Sequence, residues 1–119
     1  MTELTFLRES RLLTPSDFNP VFKNPVVASS SAFTFLAKPN DLGKPRLGLT
    51  IAKKRVKHAH ARNRIKRLTR ESFRLGQHDL PAIDVIVMAK NGTDKLSNEE
   101  LTVQLQKLWQ KLTRRCKGC

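Results

Sequence analysis

Tyrosine is absent from these 119 residues, tryptophan occurs once and cysteine only twice. A chain of this length can bury one modest core, so no disulfide or metal staple is required. Both cysteines, Cys116 and Cys119, lie in the terminal CKGC. A zinc site needs about four ligands, and His58, His60 and His78 show no matching spacing. The pair therefore reads as an incidental, frayed tail. No apolar run approaches the roughly 20 residues of a spanning helix. The opening MTELTFLRESRLL mixes charges into its apolar residues and offers no signal-peptide core. A cytoplasmic protein without a membrane partner is expected. Acids are scarce too. The ten Asp/Glu are scattered and form none of the carboxylate clusters that hold catalytic Mg²⁺ in protein nucleases. No nucleophile–base motif and no Gly-rich phosphate loop appears. The chain reads as a binder, with no catalytic residues of its own.

What it has in excess is positive charge. Twenty-three Lys/Arg leave a formal net charge of +13. Such an excess repels itself in the folded state, so a polyanionic partner is the natural explanation, and nucleic acid is favoured over lipid.

The pattern predicts one domain over 1–119, with an ordered core of about 10–113 and flexible termini. Thr14-Pro15-Ser16-Asp17 starts a short helix carrying Phe18, Val21 and Phe22, which Pro25 stops. Val26–Ser29 and Ala32–Lys38 form a hairpin, followed by a polar loop from Pro39 to Pro45. Arg46–Ala52 alternates as a third strand. A helix from Lys57 to Leu75 ends at Gly76. Asp84–Ala89, continuously apolar at its centre, suits a strand covered on both faces. Ser97-Asn98-Glu99-Glu100 is a capping box, and Leu101, Leu105, Leu108, Trp109 and Leu112 mark the buried stripe of a last helix. The order is αβββαβα, an α+β sandwich in which Arg46–Ala52 and Asp84–Ala89 are parallel neighbours.

The helix at the centre carries the strongest signal. HARNRIKRLTRESFR, residues 60 to 74, holds six Arg/Lys and one Glu. At about 100° per residue, Ala61, Ile65, Leu68, Thr69, Ser72, Phe73 and Leu75 fall on one mildly apolar face. Asn63, Lys66, Arg67, Arg70 and Arg74 occupy the far side, flanked by Arg62 and Arg64. A solvated face would mix signs, whereas Lys66 and Arg70 stack on Arg62 as like charges. Arginine's planar fork suits phosphate, and Asn63, a poor interior helix former, can hydrogen-bond RNA. Lys53, Lys54 and Arg55 extend the same surface. Phe33 and Phe35 read as core; Phe18 and Phe22, four apart on one face, are open to packing or to stacking on unpaired bases.

ARNRIKRLTRESFR resembles the RNR signature of the protein subunits of bacterial ribonuclease P, which matures tRNA 5′ ends. Arg11-Leu12-Leu13-Thr14, Phe18, Phe22, Pro45-Arg46-Leu47-Gly48-Leu49-Thr50, Ala52-Lys53-Lys54 and Ala89-Lys90 follow in family order, so the similarity covers nearly the whole chain. The resemblance implies an αβββαβα two-layer sandwich with a four-stranded mixed sheet and a left-handed β-α-β crossover. Periodicity alone could not suggest that crossover, because almost all are right-handed. It also implies that a large RNA carries the active site and its Mg²⁺ while the protein assists. On that pattern Lys53, Lys54, Arg62, Asn63, Arg64, Lys66, Arg67 and Arg70 would hold the catalytic RNA. Phe18, Phe22 and Leu36 would line a cleft for the precursor tRNA 5′ leader. Leu36 departs from the aromatic residue often found there. The competing readings are a ribosomal-type RNA-binding protein, an autonomous metal-dependent nuclease and a DNA-binding architectural protein.

Overall fold

The computed structural model describes residues 19–40 and 43–116. The expected helix start at Thr14–Asp17, Phe18 and Cys119 lie outside them. The chain enters through a 3₁₀ turn, Asn19–Phe22, and Asn24 takes a left-handed backbone (φ 49°) before Pro25. Alternation then gives β1 (Val26–Ser29) and β2 (Phe33–Pro39), paired antiparallel. β3 spans Arg46–Thr50, two residues shorter than its alternation suggested. The basic helix, α1, spans Ala59–Gly76. β4 (Ile83–Ala89) and α2 (Asn98–Cys116) complete the fold.

The sheet order is β1-β2-β4-β3, with β4 antiparallel to β2 and parallel to β3. β4 is therefore interior, which explains its unbroken apolar centre. Register assigns the two faces. Phe33, Phe35, Ala37, Leu47, Val85 and Val87 point to one side and form the main core with Ile65, Phe73, Leu105, Trp109 and Leu112 of the helices. Trp109 lies between Phe35 and Phe73, with ring centroids 4.5 and 5.8 Å away. Its indole N–H donates to Ser72 Oγ at 2.8 Å, so the serine on the apolar face satisfies a buried donor. On the other face Ile86 is buried against Val21, with Leu36 and Met88 packed beside them.

Helix boundaries follow local chemistry. The capping box of α2 forms as expected: Glu100 N–H donates to Ser97 Oγ and Ser97 N–H to Glu100 Oε1, both at 3.1 Å. Gly76 closes α1 but not as a left-handed cap; its φ is −100°, and the chain continues into a 3₁₀ turn, Gln77–Asp79. Two expectations are corrected. Leu75 is 58% exposed because it lines, with Leu68 and Trp109, an open groove of about 690 Å³ between the two helices instead of packing under α2. Cys116 is helical and buried rather than frayed, because it continues the stripe of Leu105, Leu108 and Leu112 by one more turn.

Candidate nucleic-acid interface

α1 starts without a side-chain N-cap on His58. Arg62 organises this end instead. Its guanidinium reaches back one turn and donates to the carbonyl oxygens of Val56 (3.0 Å) and Lys57 (2.7 Å). That contact fixes how the exposed Lys53-Lys54-Arg55 segment runs into the helix, while Val56 is fully buried beneath it. Arg64 turns the other way. It donates to Asn98 Oδ1 (2.8 Å), Asp94 O (3.0 Å) and Leu96 O (3.1 Å), tying α1 to the chain entering α2. The two arginines that flank the ridge on the helical wheel thus serve as tethers in this structure.

The rest of the ridge is different. Asn63, Arg67 and Arg70 are exposed and Lys66 is half-buried. Among the described residues none of their side chains, nor those of Lys53 and Lys54, makes a hydrogen bond or ion pair. These groups lie along one side of a rod whose opposite side is locked by Ile65, Thr69 and Phe73. Arg74 stands at the ridge's edge and ion-pairs with Glu71 one turn earlier, its Nε donating to Oε2 at 3.2 Å. The hydrogen bond from Arg74 holds the Glu71 carboxyl below its ordinary value. The helix's lone acid therefore marks the border between the cationic ridge and the interhelical groove.

The second candidate surface is the sheet face away from the helices. Its rows are set by register: Val27–Leu36–Ile86–Gly48 across the centre, and Lys38–Asp84–Arg46 at one end. Val21 buries Ile86 and leaves Leu36 half-buried, while Phe22 (49%) and Val27 (42%) are exposed. The 3₁₀ turn accounts for the contrast between Val21 and Phe22, since adjacent residues in such a turn point about 120° apart. Phe22 and Leu36 therefore border an apolar shelf. Lys38 donates to Lys23 O at 2.9 Å. Arg46 grips Asp84 with two bonds, Nε–Oδ1 at 2.8 Å and Nη2–Oδ2 at 2.7 Å, and Asn40 donates to the same Oδ1 at 2.8 Å. Charge patterning alone had not revealed this clamp, because its partners are 38 and 44 residues apart.

A magnesium ion is implied by the family pattern, and the described residues do not suit one. The Asp84 carboxylate is committed to Arg46 and Asn40, and no group of three or more His, Cys, Asp or Glu converges among the described residues. No described helix is long and apolar enough to cross a membrane. One feature had been weighed only as zinc ligands: His58 and His60 stack on each other, centroids 5.5 Å apart and planes 25° from parallel.

The sequence profile described as Ribonuclease P matches residues 6–113. The chain is 58% identical over 117 residues to the ribonuclease P protein component of Pseudoalteromonas translucida, covering 98% of this chain and 84% of that protein. It is 60% identical to that of Pseudoalteromonas atlantica, covering 98% and 97%. Among solved structures, the RNase P protein of Staphylococcus aureus superposes with a TM-score of 0.80 at 25% identity over 86% of this chain and 94% of that one. That of Thermotoga maritima superposes with a TM-score of 0.75 at 25% identity, covering 85% and 96%. A basic helix anchored on a mixed sheet, matched in sequence and fold along nearly its whole length, places this chain in the ribonuclease P protein family, as the protein subunit of the ribonucleoprotein that cleaves tRNA precursors.

Proposed function

We propose that the α1 ridge is the surface with which this subunit holds the catalytic RNA, and that the shelf around Phe22 takes the single-stranded 5′ leader of the precursor. The observation that carries the first assignment is the division of cations on α1. Arg62 and Arg64 are engaged by backbone carbonyls, whereas Asn63, Lys66, Arg67 and Arg70 are held on a rigid helix with no partner among the described residues. Lys53 and Lys54 extend that surface. Arg62 and Arg64 join it by setting its shape, with donors left over for phosphate at its margin. For the leader, Phe22 offers an exposed ring for stacking and Leu36 an apolar floor, with Phe18 beside them in the family pattern.

The chemistry then belongs to the RNA, which holds most of the Mg²⁺. Catalytic RNA and precursor are both polyanions, and a +13 wedge between them lowers their repulsion and the Mg²⁺ needed to keep the RNA active. Leader binding adds affinity that mature tRNA cannot share, which favours product release. Precursor tRNA is made in the bacterial cytoplasm, and we place the protein there. Family membership sets aside the ribosomal-type and architectural readings.

The test is precursor cleavage at low Mg²⁺ with protein alone, bacterial ribonuclease P RNA alone, and both. Strong stimulation only in the mixture is expected. Cleavage by the protein alone, or tight RNA binding without stimulation, would overturn the reading.

A further inference from the structure

We propose that His58 and His60 form a proton-responsive extension of the RNA-docking ridge, gripping RNA phosphodiesters when protonated so that RNA is held more tightly as pH falls. The inference rests on reading α1 as the docking face.

Position comes first. His60 precedes Asn63 by three residues and Arg67 by seven, so it lies on the same helical stripe as the ridge. His58 stands at the N-cap position directly before it, and the two rings are stacked at 5.5 Å. Both residues are exposed, and neither imidazole makes a hydrogen bond or ion pair among the described residues. A pair serving only to pack the helix start would be covered; this one faces outward.

Charge supplies the response. The loop entering α1 carries Lys53, Lys54, Arg55 and Lys57, and the helix carries Arg62 and Arg64 within one turn. The elements packed against this end contribute Asp94 and Lys95 from the 3₁₀ turn Thr93–Lys95, and Glu99 and Glu100 from the first turn of α2. The local balance is positive, seven cations against three acids. The helix N-terminus adds its own partial positive charge. A proton on either ring therefore meets like charge in the free protein, including the other ring. A phosphodiester laid along the stripe sets an opposite charge directly beside the rings.

Binding and protonation are thereby linked. An imidazole that gains a phosphate partner has a higher pKa in the complex than in free protein. Histidine is the side chain whose charge ordinarily changes between about pH 5 and 8, so a grip made by an imidazolium on phosphate strengthens as pH falls and fades as pH rises. Lysine or arginine at these positions would bind regardless of pH. The stacked histidines make part of the grip conditional.

The experiment is equilibrium binding of the full-length protein to a bacterial ribonuclease P RNA at pH 6.0, 7.0 and 8.0, with salt titrations at each. Four proteins are compared: wild type, the double variant His58→Gln/His60→Gln, the double variant His58→Lys/His60→Lys, and Arg67→Ala. Circular dichroism checks that each is folded. Wild type is expected to bind about tenfold more tightly at pH 6.0 than at pH 8.0, with a log–log salt slope steeper by about one to two at the lower pH. The glutamine pair should flatten this dependence, and the lysine pair should stay tight throughout. Using the glutamine pair as reference removes any titration of the RNA bases. Weaker binding by Arg67→Ala, with the glutamine pair retaining the wild-type pH dependence, overturns the histidine inference alone. Unchanged binding by Arg67→Ala overturns the docking ridge together with the inference built on it.

Discussion

A guanidinium that already holds two or three oxygens keeps only three or two of its five N–H donors, and those in a fixed direction, for a phosphate. Residue by residue, this divides the arginines of α1 into two groups with different mutant behaviour. Arg67→Ala and Arg70→Ala should each weaken RNA binding and lower the log–log salt slope by about one, with melting behaviour unchanged. Arg64→Ala should lower folding stability by about 1–2 kcal/mol in urea titrations, because it strands the acceptors of Asp94, Leu96 and Asn98. A shift of the urea midpoint in Arg67→Ala, or none in Arg64→Ala, would contradict the division. On the other face, Phe22→Ala should weaken binding of precursor tRNA by about tenfold while leaving leaderless tRNA unaffected, as expected for one lost stacking contact. Equal weakening of both ligands would move Phe22 out of the leader shelf.

At the scale of elements, α1 and α2 are stabilised differently. α1 has a narrow apolar face and relies on Ile65 and Phe73 against the sheet, with arginine tethers at its N-terminal half. α2 has a local start signal in addition to its stripe. Ser97→Ala should cost about 1 kcal/mol, read as a lower urea midpoint at constant slope. α2 also pins the β1–β2 hairpin, since Gln104 Oε1 accepts from Ser30 Oγ at 2.5 Å and from the Ala32 N–H at 3.3 Å. The elements were legible from periodicity because each buries one face. Strand alternation located β1, β2 and β3 within two residues, and the leucine stripe located α2. The exceptions have physical causes. Leu75 follows the apolar phase of α1 but lies on the open groove between the two helices. Cys116 keeps the phase of α2 and is buried although its sequence context looks like a tail.

For the whole molecule, the proposed function gives each polyanion its own face. The ridge of α1 and the shelf around Phe22 stand on different layers, separated by the sheet and its core. Such a protein can contact catalytic RNA and leader together without either displacing the other. Stimulation of cleavage should therefore be greatest at low Mg²⁺ and shrink as the ion is raised toward the level at which the RNA works alone. Stimulation independent of Mg²⁺ would argue that the +13 charge plays no part in bringing the two RNAs together.

By itself the sequence determined the order of the strands and the two long helices, the buried stripe of α2 and the excess of positive charge. These follow from local spacing, since period and charge need only neighbours along the chain. It could also indicate that Phe33 and Phe35 were core, because alternation assigns them to one side. Only the tertiary structure decided which cations are still available. Arg62 and Arg64 look like their neighbours in the string of letters, and what separates them is the carbonyls of Val56, Lys57, Asp94 and Leu96, two of which come from another element. The Arg46–Asp84–Asn40 clamp and the stacked His58–His60 pair belong to the same class. Each depends on distances across the fold or on ring orientation, and spacing in one dimension carries neither.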